Sequence, residues 1–66
     1  MTVAGVRPRE DYAEIMFVES ARIFRLLHSN PARKETLRKL RAAGGSGRRV
    51  RVRFDKPNGG IIEGVE

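Results

Sequence analysis

The residues with the clearest chemical character are the arginines of residues 48–54, RRVRVRF, where charged and apolar side chains alternate. In a β-strand, successive side chains point to opposite faces, and neighbours on one face lie about 7 Å apart. One face of this strand then carries a row of arginines, whose forked donors suit phosphate oxygens. Charge also protects edge strands against aggregation, so the row has a purely structural interpretation as well. The arginine row comprises Arg49, Arg51 and Arg53, and Arg48 precedes it.

Basic charge is concentrated in the middle of the chain, which has a net charge of +6 overall. Residues 1–30 are electroneutral, residues 31–53 carry +8 and residues 54–66 carry −2. A charge distribution of this kind predicts an acidic partner, either nucleic acid or an acidic protein surface. The predicted polyanion-binding residues are Arg33, Lys34, Arg38, Arg41, Arg48, Arg49, Arg51 and Arg53.

Aromatic side chains that could stack on nucleic-acid bases are scarce. The four aromatic residues, Tyr12, Phe17, Phe24 and Phe54, all fit helix or core positions. We therefore expect binding to be directed at the phosphate backbone and to weaken with salt, rather than to depend on base stacking.

Residues able to catalyse reactions or bind metals are few. Cysteine is absent, and His28 is the only imidazole. This histidine falls at the end of a predicted helix, where the helix dipole favours a cation. No serine or threonine has a base at a recognisable spacing, and GGSG, residues 44–47, lacks the Lys-Ser/Thr ending of a phosphate-binding P-loop. We expect no enzyme activity, no metal site and no cofactor.

Residues 8–28 predict a long amphipathic helix. Pro8 suits a first helical position, and acidic residues follow it in the opening turns, where the helix dipole favours them. At about 100° per residue, the large apolar side chains fall within one arc of this helix. Asn30 and Pro31 then fit the cap and first position of a second helix over residues 31–43, so the two helices form an αα-hairpin.

The C-terminal part of the chain predicts a β-hairpin over residues 48–66, after a glycine-rich linker at residues 44–47. Asn58-Gly59 is a strong signal for the turn of such a hairpin. The N-terminal segment, residues 1–8, is a candidate for a short edge strand. The predicted fold class is α+β in a single small domain, with an αα-hairpin followed by a C-terminal two-stranded antiparallel β-hairpin.

The register of this hairpin has two solutions. A two-residue turn sets Val52 opposite Val65. A three-residue loop with a glycine bulge instead sets Phe54 opposite Ile62. We favour the second register, because it gathers the apolar side chains on one face of the hairpin.

The apolar face of the helix predicted over residues 8–28 is larger than the rest of one chain can cover. A chain this short buries only about 60% of its unfolded surface, and small domains often gain stability from a second subunit. We therefore expect a homodimer with this face at its interface. Glu19 lies within the apolar arc, where it either pairs with Arg22 or makes a specific contact with a partner. The predicted interface residues are Tyr12, Met16, Phe17, Ile23, Phe24 and Leu27.

Two functions fit these features. The leading expectation is a small basic, dimeric, nucleic-acid-associated regulatory protein that contacts phosphates through the arginine row and the second helix. The alternative is a protein-binding adaptor or inhibitor, of the kind found among accessory proteins of mobile elements, that docks its basic face on an acidic partner. The longest apolar run, IMFV, is far shorter than the roughly 20 residues that span a bilayer. No signal-peptide pattern is visible, and we expect a soluble, cytoplasmic protein without a membrane partner.

Overall fold

Five strands and one helix form within the residues that the computed structural model describes, 1–57 and 59–66. The first three strands pair in the order β1-β2-β3, and the last two form a separate antiparallel pair, β4-β5. All neighbouring strands within these two sheets are antiparallel. The elements run in the order β1 (Val3–Pro8), β2 (Tyr12–Phe17), β3 (Ile23–Leu27), α1 (Arg33–Ser46), β4 (Val52–Phe54) and β5 (Ile62–Val65).

Single bridges join the two sheets on both sides. Thr2 pairs with Arg49 in an antiparallel bridge, and Arg25 pairs with Ile61 in a parallel one. The N–H of Arg25 also donates to the carbonyl of Gly60 at 2.9 Å. The strand order is therefore β1-β2-β3-β5-β4 around a small barrel, with the helix between the third and fourth strands. This arrangement resembles a five-stranded, partly open Greek-key barrel of the OB type.

The core fills the interior of this barrel and is closed at one side by α1. Every second residue of β2 points inward, and α1 adds Leu40 and Ala43. Each large aliphatic side chain buried in this way contributes about 1.5–3 kcal/mol. The buried apolar residues are Val3, Ala13, Ile15, Phe17, Phe24, Leu26, Leu40, Ala43, Ile62 and Val65.

The helix predicted over residues 8–28 is wrong, because this part of the chain contains β2, β3 and the turn between them. The inward side chains follow the period of two that a strand requires. Apolar residues also occupy the outer face of both strands, so the combined pattern resembles the arc of a helix. The predicted αα-hairpin followed by a β-hairpin is therefore replaced by a mostly stranded fold with one helix.

Strand β1 forms in the N-terminal segment, but its main partner is β2 rather than the C-terminal hairpin. The apolar Val3 points into the core at one end of the strand. Only a single bridge, from Thr2 to Arg49, links this segment to the chain that leads into β4. The predicted short edge strand thus belongs to a three-stranded sheet.

The helix α1 corresponds to the one predicted over residues 31–43, but it begins two residues later and ends at Ser46. Residues 44–46 form its last turn, so the predicted linker is mostly helical. Gly47 then ends the helix with a left-handed φ of 71°, a conformation that glycine adopts without steric cost.

The predicted C-terminal hairpin is present, and it contains one pair from each of the two predicted registers. Val52 pairs with Val65 as the shorter turn requires, and Phe54 pairs with Ile62 as the longer loop requires. A β-bulge between these two pairs shifts the register by one residue and reconciles them. Asn58 of the predicted turn lies outside the described residues.

Candidate polyanion-binding groove

A groove of about 520 Å³ lies between α1 and the chain that leads into β4. Four cationic side chains meet there, two from the helix and two from the segment before the strand. Its far wall is formed by Val65 at the end of β5 and by Glu66, the residue that follows the strand. The groove is lined by Arg38, Lys39, Ala42, Ala43, Ser46, Arg48, Arg49, Val50, Val65 and Glu66.

The helix forms one wall of the groove through a row of residues spaced four apart. Residues at this spacing lie above one another on a helix surface. The row begins at Arg38 and continues through the small residues Ala42 and Ser46, which leave room beside the charged one. Leu40 is fully buried on the core side, and this burial fixes the direction in which the row points.

The second wall depends on the turn that ends α1. After the left-handed Gly47, the N–H of Arg48 donates to the carbonyl of Ala43 at 3.0 Å. The bridge between Thr2 and Arg49 then holds the following residue beside the N-terminal segment. These two interactions place two adjacent arginines next to the last turns of the helix.

Arg48 and Arg49 supply the groove's uncompensated charge. Both residues are exposed, and neither guanidinium makes a hydrogen bond or an ion pair within the described part of the chain. Each therefore offers its full set of N–H donors to a ligand. A pair of oxygens on one phosphate is the geometry that such a fork prefers.

Arg38 and Lys39 are partly engaged by neighbouring groups. Arg38 forms an ion pair with Glu35, with its Nε 3.2 Å from Oε2. This contact raises the pKa of the Arg38 guanidinium and lowers the pKa of the Glu35 carboxyl. The Nζ of Lys39 lies 3.4 Å from the carbonyl oxygen of Val65. These contacts hold both cations at the groove without neutralising Lys39.

Lys39 is the groove residue that the sequence analysis missed. The spacing of Glu35 and Lys39 favours an i,i+4 ion pair, which would neutralise the lysine. Glu35 instead pairs with Arg38, which lies three residues along the helix rather than four. The sequence does show a lysine on the basic side of this helix, but it does not show which cation the glutamate selects.

Arg51 and Arg53 lie next to the groove rather than in it. Their alternation with Val52 and Phe54 is as predicted, since both arginines are exposed and both apolar residues are half-buried. Glu66 lies 3.8 Å from a guanidinium nitrogen of each arginine. Surface ion pairs of this length contribute little to stability, but they partly compensate this end of the arginine row.

The three remaining predicted residues lie elsewhere on α1. Arg33 donates a hydrogen bond to the carbonyl of His28, which fixes it at the start of the helix. Lys34 lines a small cavity near the same end. Arg41 faces β1 on the other side of the helix. Of the eight predicted residues, the structure brings Arg38, Arg48 and Arg49 together in one groove.

The predicted dimer interface is divided by the fold. Phe17 and Phe24 are in the core, with ring centroids 5.5 Å apart, and they cannot contact a second chain. The other four residues share the outer face of β2 and β3, where they form two cross-strand pairs. The homodimer stays a prediction, now limited to Tyr12, Met16, Ile23 and Leu27.

The outer face of the three-stranded sheet also carries basic residues, which gather around one carboxylate. Glu14 lies in cross-strand register with Arg7 and Arg25. Its Oε1 also lies 3.1 Å from Nε of Arg9. The guanidinium of Arg25 stacks over the ring of Tyr12 at 5.0 Å. The groove differs from this face in having two adjacent arginines, Arg48 and Arg49, whose guanidinium groups make no hydrogen bond or ion pair within the described residues.

Comparisons with known proteins found no relative of this chain. The chain matches no protein-family model, no curated protein and no solved structure. In the described part of the chain, no helix has the length and apolar content needed to cross a membrane. The same residues contain no group of three or more His, Cys, Asp or Glu side chains that could hold a metal ion.

Proposed function

We propose that this protein binds nucleic acid through the phosphate backbone, and that the groove between α1 and β4 is the contact site. The observation that carries the proposal is the meeting of Arg38, Lys39, Arg48 and Arg49 in one groove. Phosphate oxygens are the ligands that such a set of donors suits best. A regulatory role in the cytoplasm belongs to the same proposal.

The barrel architecture supports this proposal by analogy. OB-type barrels are recurrent binders of oligonucleotides and oligosaccharides, although a fold alone does not determine function. The groove differs from a stacking platform, because none of its lining residues is aromatic. Contacts restricted to phosphate give little sequence selectivity. We therefore expect binding that is similar across sequences.

The size of the salt dependence follows from the number of cations. Each phosphate neutralised contributes roughly 0.7–0.9 to the slope of log K against log salt. Four groove cations then predict a slope of about −3. The expected binding is submicromolar at low salt and much weaker at physiological salt.

The test is a fluorescence-anisotropy titration of mixed-sequence DNA and RNA, single-stranded and duplex, at several salt concentrations. The variant Arg48→Gln/Arg49→Gln removes the two unpaired groove charges. It should weaken binding to every nucleic acid and reduce the salt slope by about 2. The matched control, Arg7→Gln/Arg41→Gln, removes the same charge from exposed positions outside the groove.

Two results would contradict the proposal. One is an absence of binding by the wild-type protein even at low salt, which would favour an acidic protein as the partner of the basic face. The other is an equal loss of affinity in both double variants. Equal losses would show that net charge, and not the groove, determines binding.

A further inference from the structure

One edge of β4 has no strand beside it in the described part of the chain. On its other edge β4 pairs with β5 over its whole length. The N-terminal segment approaches the open edge only before the strand begins, where the N–H of Val50 donates to the carbonyl of Met1 at 2.6 Å. Beyond this point the barrel is open between β1 and β4.

The hydrogen bonds to β5 show which backbone groups of β4 face this opening. The carbonyl of Arg51 accepts from the N–H of Glu66 at 2.9 Å, and the N–H of Asp55 donates to Ile61 at 3.0 Å. Alternate residues of an antiparallel strand bond to opposite sides. The N–H and C=O groups of Val52 and Phe54 therefore point towards the open edge. Among the described residues, no backbone hydrogen bond outside the β4–β5 pair reaches them.

The side chains along this edge alternate in character. Val52 and Phe54 are half-buried and pack against the core at the opening. On the opposite face the side chains of Arg51 and Arg53 are 83% and 57% exposed. A strand added here would meet apolar groups on its inner face and two cations on its outer face.

The chain's own β5 shows which kind of strand suits β4. Its last residue, Val65, is apolar and lies opposite Val52, and an acidic residue follows it directly. The carboxylate of the next residue, Glu66, lies 3.8 Å from both Arg51 and Arg53. Cross-strand pairs of this type, apolar with apolar and opposite charges together, stabilise sheets.

We propose that the open edge of β4 binds an extended segment of a partner protein in which acidic and apolar residues alternate. The segment adds as a strand, with its backbone bonded to Val52 and Phe54 and its carboxylates beside Arg51 and Arg53. A second copy pairing through the same edge is disfavoured, because it would bring two arginine rows together. This site is separate from the phosphate groove and does not depend on it.

The test uses a short acetylated peptide of alternating glutamate and valine, titrated into the isotope-labelled protein and followed by NMR. Binding should shift the amide signals of Val52 and Phe54 and slow their exchange with solvent. Arg51→Glu/Arg53→Glu should weaken the affinity by about tenfold or more. Arg7→Glu/Arg41→Glu makes the same charge change at exposed positions away from this edge and should leave the affinity within about twofold.

Two control peptides separate strand addition from simple charge attraction. In one control, a glutamate–valine peptide is methylated at the alternate backbone nitrogens that would face β4. This peptide cannot donate hydrogen bonds to the edge of β4, and it should not bind. A lysine–valine peptide keeps the strand propensity and should not bind either. Binding of the methylated peptide as tight as that of its parent, or shifts centred on residues 38–49, would overturn the proposal.

Discussion

Glu19 holds the N-terminal segment against the turn between β2 and β3. Its Oε1 accepts a hydrogen bond from the N–H of Thr2 at 2.7 Å. The N–H of Val18 donates in turn to the carbonyl of Thr2 at 2.9 Å. The hydrogen-bond partner of Glu19 is thus the backbone of Thr2 rather than Arg22, and a contact of Glu19 with a partner protein stays a prediction.

The same contact makes Glu19 a source of pH-dependent stability. Hydrogen bonds from the backbone and the side chain of Thr2 lower the pKa of Glu19 from 4.5 to about 2. Because the folded pKa is below the unfolded one, the stabilisation is fully present above about pH 4.5 and is lost as the pH falls through about 2. Glu19→Gln should therefore lower the thermal unfolding midpoint at neutral pH, and the difference from wild type should vanish below about pH 2.

The control for this measurement is Glu10→Gln, which removes a carboxylate from an exposed position in the β1–β2 turn. Its unfolding midpoint should stay close to that of the wild type across the same pH range. A Glu19→Gln curve that coincides with the wild-type curve at neutral pH would show that the contact with Thr2 contributes nothing in solution.

The strands β2 and β3 show why part of the fold could not be predicted from the sequence. Their inner residues follow a period of two, but Met16 and Ile23 add apolar side chains to the outer face. A continuous apolar stretch of this kind fits a helix and a strand equally well. The segment RRVRVRF is not ambiguous in this way, because charged and apolar residues alternate strictly from Arg49 onward. Its inward and outward residues were therefore predicted correctly.

Three of the four groove cations were predictable from the sequence, but the geometry of the groove was not. Charge alone identified Arg38, Arg48 and Arg49 as candidates. Their convergence depends on two features of the backbone: the extension of α1 through residues 44–46, and the left-handed turn at Gly47. Glycines favour loops in sequence-based reasoning, so the sequence predicts a linker at the place where the helix continues.

The last turn of α1 gives a direct test of this helix boundary. A Cβ at Gly45 would meet no atom within 4 Å, and alanine has the higher helix propensity. Gly45→Ala should therefore raise the free energy of unfolding by about 0.4–1 kcal/mol. Chemical denaturation followed by circular dichroism measures this change.

Gly47 provides the matched control, because it has the left-handed φ of 71° and equally open surroundings. Gly47→Ala should lower the free energy of unfolding by about 1–2 kcal/mol, the cost of this conformation for an L-residue. Equal effects of the two substitutions would indicate a flexible linker over residues 44–47 in place of a helical turn and its cap.

Charge is distributed unevenly over the molecule, with one electrically balanced surface and one basic surface. Around the three-stranded sheet, basic and acidic residues balance, as they do in residues 1–30 of the sequence. The surface formed by α1 and β4 carries most of the +8 of residues 31–53. Such an asymmetry orients the protein towards a polyanion and speeds its association at low salt. The same surface combines a groove suited to phosphates and an open strand edge suited to an acidic segment.

The measurement that tests the account most directly is an NMR titration of the labelled protein with a mixed-sequence oligonucleotide at low salt. We predict that the largest changes in amide signals fall on residues 38–49, with small changes over β2 and β3. Addition of salt should reverse these changes, because the contacts are with phosphate. Changes centred on the outer face of β2 and β3, or no changes at all, would contradict the assignment of nucleic-acid binding to this groove.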